Sequence, residues 1–367
     1  MTAPVDLEEP NYRTLLLGMK EESDYDFQIV AQSGGQTCMS DTLSLTTGAI
    51  PNQVPRPTVE VQQADKAAPG FFVTVNYSRG GYAFIFDGDG DVVWYAPGVA
   101  MGAPEPSGVR MDFEGKALWT VTGNPTASGN GSIRRISMDG TDVQDLDSVD
   151  GHHDLAPLPG GSVAALIHSG GNCASIIEVD SDMNVSDIIP DVSTIYTPVN
   201  QCHPNAILYH PEDQSFTVSD RNPNLYVKIS MTGEVEWQLG GSNALGPHIQ
   251  DNWNTNHGHH LLPNGNFLFF NNNGRGGVGS AAQSPVWEFS LNLESLTATE
   301  VWSYVSSNNT AALGDVQRLN NGNTLITYSI SGVVHEVDEQ EQLVRTFQTQ
   351  PLGYMMHRES LYGPPPK

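Results

Sequence analysis

Three histidines stand at matching places in successive stretches of this chain. Imidazole is the side chain best suited to nucleophilic, acid–base and metal-binding work near neutral pH. His153 lies eight residues before Gly161 in Gly151-His152-His153-Asp154-Leu155-Ala156-Pro157-Leu158-Pro159-Gly160-Gly161. His257 lies eight before Gly265 in His257-Gly258-His259-His260-Leu261-Leu262-Pro263-Asn264-Gly265. His203 opens a similar unit, His203-Pro204-Asn205-Ala206-Ile207-Leu208-Tyr209, with a longer turn at Pro211-Glu212-Asp213-Gln214. The matching positions elsewhere are Ser107 and Gly314. Groups at one register of a repeat converge in space. A hydrogen bond to a carbonyl would explain one buried histidine. Three that converge carry a transferred group, clamp an anion or hold a cation.

Arg221, in Val218-Ser219-Asp220-Arg221-Asn222, ends the strand expected to pair with the one that His203 begins. A hairpin therefore brings it to the histidines. A guanidinium among imidazoles suits sulfate, phosphate or carboxylate, unless Asp220 claims it. His152, His259 and His260 neighbour the three. Strand alternation keeps them from all facing inward, so they are expected on the wall. Asn222 joins them there as a substrate-binding candidate. Trp253, in a polar loop just before His257, is a candidate wall for an aromatic ring. Met355-Met356-His357-Arg358 falls where a last strand could close a ring on its first blade, bringing Arg358 to the channel. Asp87-Gly88-Asp89-Gly90-Asp91 has part of a calcium-loop pattern but lacks the later bidentate glutamate, so it reads as a hairpin turn.

Positioning such groups calls for a repeating scaffold. From about Ala83 to Phe347 an apolar strand followed by an Asp- or Gly-containing turn recurs six times. The copies include Ala83-Phe84-Ile85-Phe86-Asp87, Tyr226-Val227-Lys228-Ile229-Ser230 and Val333-Val334-His335-Glu336-Val337, and begin roughly forty to sixty residues apart. A second hairpin type sits between them, as in Leu262-Pro263-Asn264-Gly265-Asn266 and Leu319-Asn320-Asn321-Gly322-Asn323. Asn-Gly between apolar runs marks a tight turn whose two central residues need positive φ. Two hairpins per repeat make four strands, and six repeats make an all-β, six-bladed β-propeller.

Residues 71–367 are therefore expected to form the propeller, 51–70 a proline-stiffened linker and 1–50 a partial fibronectin-like β-sandwich segment. With 38% hydrophobic residues, 37 Gly and 24 Pro in 367 residues, the composition favours many short strands over long helices. The formal charge of -26 makes nucleic acid and anionic membranes poor partners. No apolar run is long enough to span a membrane. Cys38, Cys173 and Cys202 form neither a disulfide framework nor a CxxC metal motif, and whether Cys173 pairs with Cys202 stays open here. The first residues, Met1-Thr2-Ala3-Pro4-Val5-Asp6, have neither the basic region nor the apolar core of a signal peptide, which says little about location.

In order along the chain, His152-His153-Asp154 with Leu158-Pro159-Gly160-Gly161, His203-Pro204-Asn205 with Ser219-Asp220-Arg221-Asn222, His257 ahead of Leu262-Pro263-Asn264-Gly265-Asn266, and Asp315-Val316-Gln317-Arg318-Leu319 resemble the bacterial arylsulfate sulfotransferases. The likeness covers roughly residues 50 to 365. It implies a six-bladed propeller that moves a sulfuryl group from an aryl sulfate to a phenol without a nucleotide donor or other cofactor. It implies His257 as the nucleophile, with His153, His203 and Arg221 on the sulfuryl oxygens. It also implies small aromatic substrates and a periplasmic or extracellular location. Two other functions stay open on the residues alone. One is a lyase or hydrolase holding Zn or Cu on His153, His203 and His257. The other is a non-enzymatic propeller that binds a partner.

Overall fold

A computed structural model describes residues 2–363 apart from 6, 8–11, 78–80, 98–106, 123–130, 170–172, 197–201, 243, 252, 254 and 273–282. Six sheets of four or five strands, antiparallel except for one short parallel pairing of Val235–Gly240 with His248–Ile249, succeed one another along the chain as the blades of a β-propeller. Helical structure among the described residues is slight, with two short 3-10 segments at Val192–Thr194 and Ser329–Ser331. No described helix is long and apolar enough to cross a membrane.

Both ends of the chain close the ring. The C-terminal strand Met356–Arg358 is the inner strand of blade one, pairing with Phe71–Val75. Thr58–Val61 pairs with Leu343–Gln348 as the outermost strand of blade six. The stretch 51–70 is therefore not purely a linker: its Thr-Val-Glu-Val run starts directly after Pro57 and covers an edge that would otherwise be bare.

The hairpin turns differ in one detail from the sequence expectation. In Leu262-Pro263-Asn264-Gly265-Asn266 the Gly265 amide donates to Leu262 and the Leu262 amide to Asn266. Only Gly265, at φ 84°, is left-handed. This is a three-residue loop closed by one left-handed glycine, not a two-residue turn with two.

Apolar faces are buried between neighbouring blades. Phe72, Phe84, Phe86 and Phe347 join blades one and six. Ile176, Ile207 and Phe216 join blades three and four. Tyr226, Trp237, Phe267 and Phe269 join blades four and five. Burying such a side chain contributes about 1.5–3 kcal/mol, so the seams stabilise the ring and fix each inner strand.

Residues 24–46 form a bent ribbon. Asp24–Phe27 pairs with Leu43–Thr46 and Val30–Ser33 with Gln36–Met39. Among the described residues no second sheet packs on it, and most of its side chains are exposed. Lys20 ties its base to the propeller through Asp87, Asp89 and Asp91 at 3.1, 2.9 and 2.6 Å.

Candidate active site

The histidines sit where the inner strands of blades three, four and five begin: Gly151–Pro157, Pro204–His210 and Asn256–Leu261. Each of these strands breaks register at that end, between Gly151 and Leu155, Pro204 and Ala206, and Asn256 and His259. The inner strands of blades one, two and six pair without such a break. A bulge re-aims side chains that strict alternation would send to opposite faces.

That device brings His152 into the cluster, where alternation alone had put it on the wall. Its Nδ1 lies 2.9 Å from Nδ1 of His153. Ring centroids are 4.5 Å apart for His152 and His153, 5.0 Å for His152 and His203, and 4.6 Å for His153 and His203. His257 stands at the far side, 6.4 Å from His153. His168, which sequence reasoning missed, lies 4.3 Å from His152. It ends the strand Val163–His168 that pairs with the inner strand of its blade. The hairpin argument that recruited Arg221 would have recruited it too.

His257 is held from both sides. The Asn272 amide nitrogen donates to the carbonyls of Thr310 and Leu313, at 3.1 and 2.6 Å, which turns its oxygen to His257 Nδ1 at 2.6 Å. An amide oxygen only accepts, so Nδ1 carries the proton and Nε2 the lone pair. The Leu313 amide donates to that lone pair at 3.2 Å. Leu313 itself is left-handed, at φ 55°, an unusual conformation for a branched residue. Next to it, Gly314 at φ 109° lies where any Cβ would strike the Phe270 ring.

Arg221 is half-buried, and its backbone amide donates to the His203 carbonyl at 3.1 Å. Asp220 does not claim its guanidinium. That carboxylate accepts from Tyr196 Oη at 2.5 Å, from the His203 amide at 2.8 Å and from the Asn222 amide at 3.1 Å. The guanidinium's one hydrogen bond, from Nε to Asn222 Oδ1, is 3.4 Å long, and it forms no ion pair among the described residues. Asn222 is exposed beside it. Burial first, then the Arg221 charge among neighbouring groups, pushes His203 down to about 3. His257 falls to about 3 through burial, against the hydrogen bond to Asn272 and with Arg221 adding to the fall. His152 and His153 are lowered for the same leading reason. The cluster is thus a set of neutral imidazoles beside one guanidinium that feels the Asp220 charge but makes no direct ion pair among the described residues.

Residues 175–356, about half of the chain, match the family model "Arylsulfotransferase (ASST)". The chain belongs to the arylsulfotransferase family. No curated protein sequence matches it. The solved structures it is similar to include a protein of unknown function from Bacteroides caccae, at 15% identity and a TM-score of 0.54, covering 79% of this chain and 99% of that one. A putative 6-phosphogluconolactonase from Bacteroides fragilis is 13% identical, with a TM-score of 0.50 over 81% of this chain and 99% of that one. A nidogen/laminin complex is also 13% identical, with a TM-score of 0.51 over 78% and 97%. Identities this low show the fold alone.

In this arylsulfotransferase-family chain a buried septum lies below the cluster. Arg110 bonds Asp154 at 3.2 and 3.1 Å and Asp315 at 3.4 Å, and its guanidinium lies 5.4 Å from the Tyr354 ring centre. Burial pushes both carboxyls up, Asp315 to about 6, while Arg110 pulls them back. Tyr354 donates to the Asn205 carbonyl at 2.8 Å, and its ring is 6.4 Å from that of His257. Arg110, Tyr354 and Asn272 carry no repeat signature and were not singled out in the sequence.

Three substrate-binding candidates lie elsewhere. Trp253 packs between blades against Tyr226 and Phe269, at 5.4 and 5.1 Å, rather than standing in a polar loop beside His257. His259 donates to or accepts from Thr217 Oγ1 at 2.8 Å and lines a cavity at the other end of the inner strands, because the bulge separates it from His257. Arg358 is fully buried and spends its guanidinium on the carbonyls of Ser360, Asp112 and Gly363, tying down the C-terminus. The metal-type trio also differs from the expected one. Ligand atoms of His152, His153 and His203 lie within 4.8 Å of one another, whereas His257 gives its two nitrogens to Asn272 and Leu313. Cys173 and Cys202, the latter adjoining His203, form a disulfide; Cys38 is free and exposed.

Proposed function

We propose that this arylsulfotransferase-family protein moves a sulfuryl group from an aryl sulfate to a phenol, with His257 as the carrier. The observation that supports this most strongly is the Arg221 guanidinium, in no direct ion pair among the described residues, beside neutral imidazoles. A guanidinium whose N–H groups no carboxylate takes up attracts an oxyanion and repels a metal cation. An aryl sulfate has one anionic head and one flat apolar body.

In this account the sulfuryl oxygens rest on Arg221, His153 and His203, with His152 supporting His153. His257 attacks sulfur through Nε2. Its lone pair leaves the Leu313 amide as the donor takes that place. The new N–S bond forms as the aryl S–O bond breaks, and the phenolate leaves with both electrons of that bond. The Nδ1 proton stays on the ring, shared with Asn272. In the second half an acceptor phenol attacks sulfur as its proton passes to a neighbouring neutral imidazole. The N–S bond then breaks and returns its electrons to Nε2. Fixed donors aimed at the sulfuryl oxygens stabilise the charge at each step. The Cys173–Cys202 disulfide supports a periplasmic or extracellular location.

The test is release of phenol from a chromogenic aryl sulfate. Release that needs a second phenol and is lost in His257→Ala supports the reading. The His152, His153 and His203 trio favours a second reading, a bound Zn or Cu. Stoichiometric metal in protein purified without added metal would replace the first reading with the second.

A further inference from the structure

The far ends of the same inner strands, around Pro157, His210 and Leu261, open into a second cavity of about 920 Å³. The Arg110–Asp315 septum forms its floor. It is separate from the histidine cluster, and it absorbs three histidines that the sulfuryl chemistry leaves unused, His210, His259 and His260. The inference therefore does not rest on the proposed reaction.

Its chemistry contrasts with that of the cluster. Phe113 and Tyr209 make an aromatic side, edge-on at 6.4 Å. Leu293, half exposed, forms part of the rim. Each cation in the lining is already paired. Lys228 binds Asp213 at 2.5 Å and Glu236 at 2.6 Å, and Arg110 is held by two aspartates. Glu212 adds a further acid. The field is negative, so an anion is disfavoured. One donor remains. The Arg318 amide donates to His260 Nδ1 at 3.0 Å, which leaves the proton on Nε2, and among the described residues nothing accepts it.

We propose that this cavity is a second small-molecule site, which takes an uncharged, flat aromatic or polycyclic molecule bearing a carbonyl oxygen. The carbonyl accepts from His260 Nε2, and the rings lie against Phe113 and Tyr209. The volume lies within the roughly 300–1,000 Å³ typical of drug-sized ligands. The paired charges around it leave no site for a sulfate or carboxylate.

The probe is Nile red, a neutral polycycle with a ring carbonyl whose emission rises in apolar surroundings, titrated against the full chain. Saturable one-to-one binding is expected. Phe113→Ala should weaken it about tenfold or more, the loss of one aromatic wall converted at about 1.4 kcal/mol per decade. Leu293→Asp, at an exposed position that does not threaten folding, should weaken it several-fold and carries the test if Phe113→Ala fails to fold. His257→Ala, at the other end of the channel, should bind the dye as the parent does. An anionic naphthalene sulfonate should compete poorly. Unsaturable emission, unchanged affinity in the folded lower-end variants, loss in His257→Ala, or equal competition by the sulfonate would each overturn the proposal.

Discussion

The two ends of the propeller channel are built from the same six inner strands and reach opposite electrostatic solutions. At the strand starts, blades three, four and five bulge, imidazoles crowd together, and one guanidinium makes no direct ion pair among the described residues. At the strand ends, every lining cation is neutralised and aromatic and aliphatic side chains take over. In a chain with a formal charge of -26, a guanidinium in no direct ion pair, set beside neutral imidazoles, marks where an anion can come to rest. The ring supplies geometry to both ends. The local choice of partner residues decides which chemistry each end can do.

Substitutions at the two ends should therefore separate cleanly. The largest effect is expected from His257→Ala, with a fall in sulfuryl turnover of about a thousand-fold or more, because the carrier atom is gone. Arg221→Gln should follow, with a loss of about 10²–10³ in kcat. Arg221→Lys should recover part of that, since it keeps the charge but not the fork. Asn272→Ala should cost about 10–100-fold, as orienting partners do elsewhere. Its signature is a fall in kcat with little change in KM and a shifted pH profile, because the tautomer of His257 is no longer fixed. Substitution of Leu293 at the lower rim should leave turnover within about twofold, inside the small changes ordinary for surface sites. If the upper and lower variants behave alike, the contrast drawn here fails.

Acid should act on both ends at once. His203, His257 and His259 are held near 3, and His210, His260 and His335 near 4, mainly by burial. Each is neutral in the folded chain but charges below about 6.5 in the unfolded one. Their contribution is intact above that value and is lost as pH falls toward 4 and 3. Asp220 and Asp315, raised to about 6, push the other way between 3.8 and 6, but they are fewer. Melting temperature should drop between pH 7 and pH 5. A flat or rising profile would mean that these imidazoles are less buried than described.

The repeat pattern made the six blades legible, because Asn-Gly and Asp-Gly turns between short apolar runs leave few alternatives. The meeting of His153, His203 and His257 could be read from one register, and Arg221 from the hairpin it ends. What escaped was whatever depended on irregularity. The bulges that turn His152 inward and His259 away have no signature beyond the glycine at Gly151 or Gly258. His168 ends a second strand, and Asn272 follows one just as Arg221 does, yet neither stands beside a residue pattern like that around Arg221. Arg110 and Tyr354 come from blade two and the C-terminal closure, outside any shared motif. Arg358 was drawn to the channel by its place near the closing strand, where instead it holds the chain end.

The central claim is tested most directly by incubating the protein with an aryl sulfate and no acceptor, then mapping peptides by mass. The account predicts one added sulfuryl group on the peptide containing His257, removed when a phenol is supplied and absent from His257→Ala. Turnover that persists in His257→Ala, or a sulfuryl group found on another histidine, would contradict it.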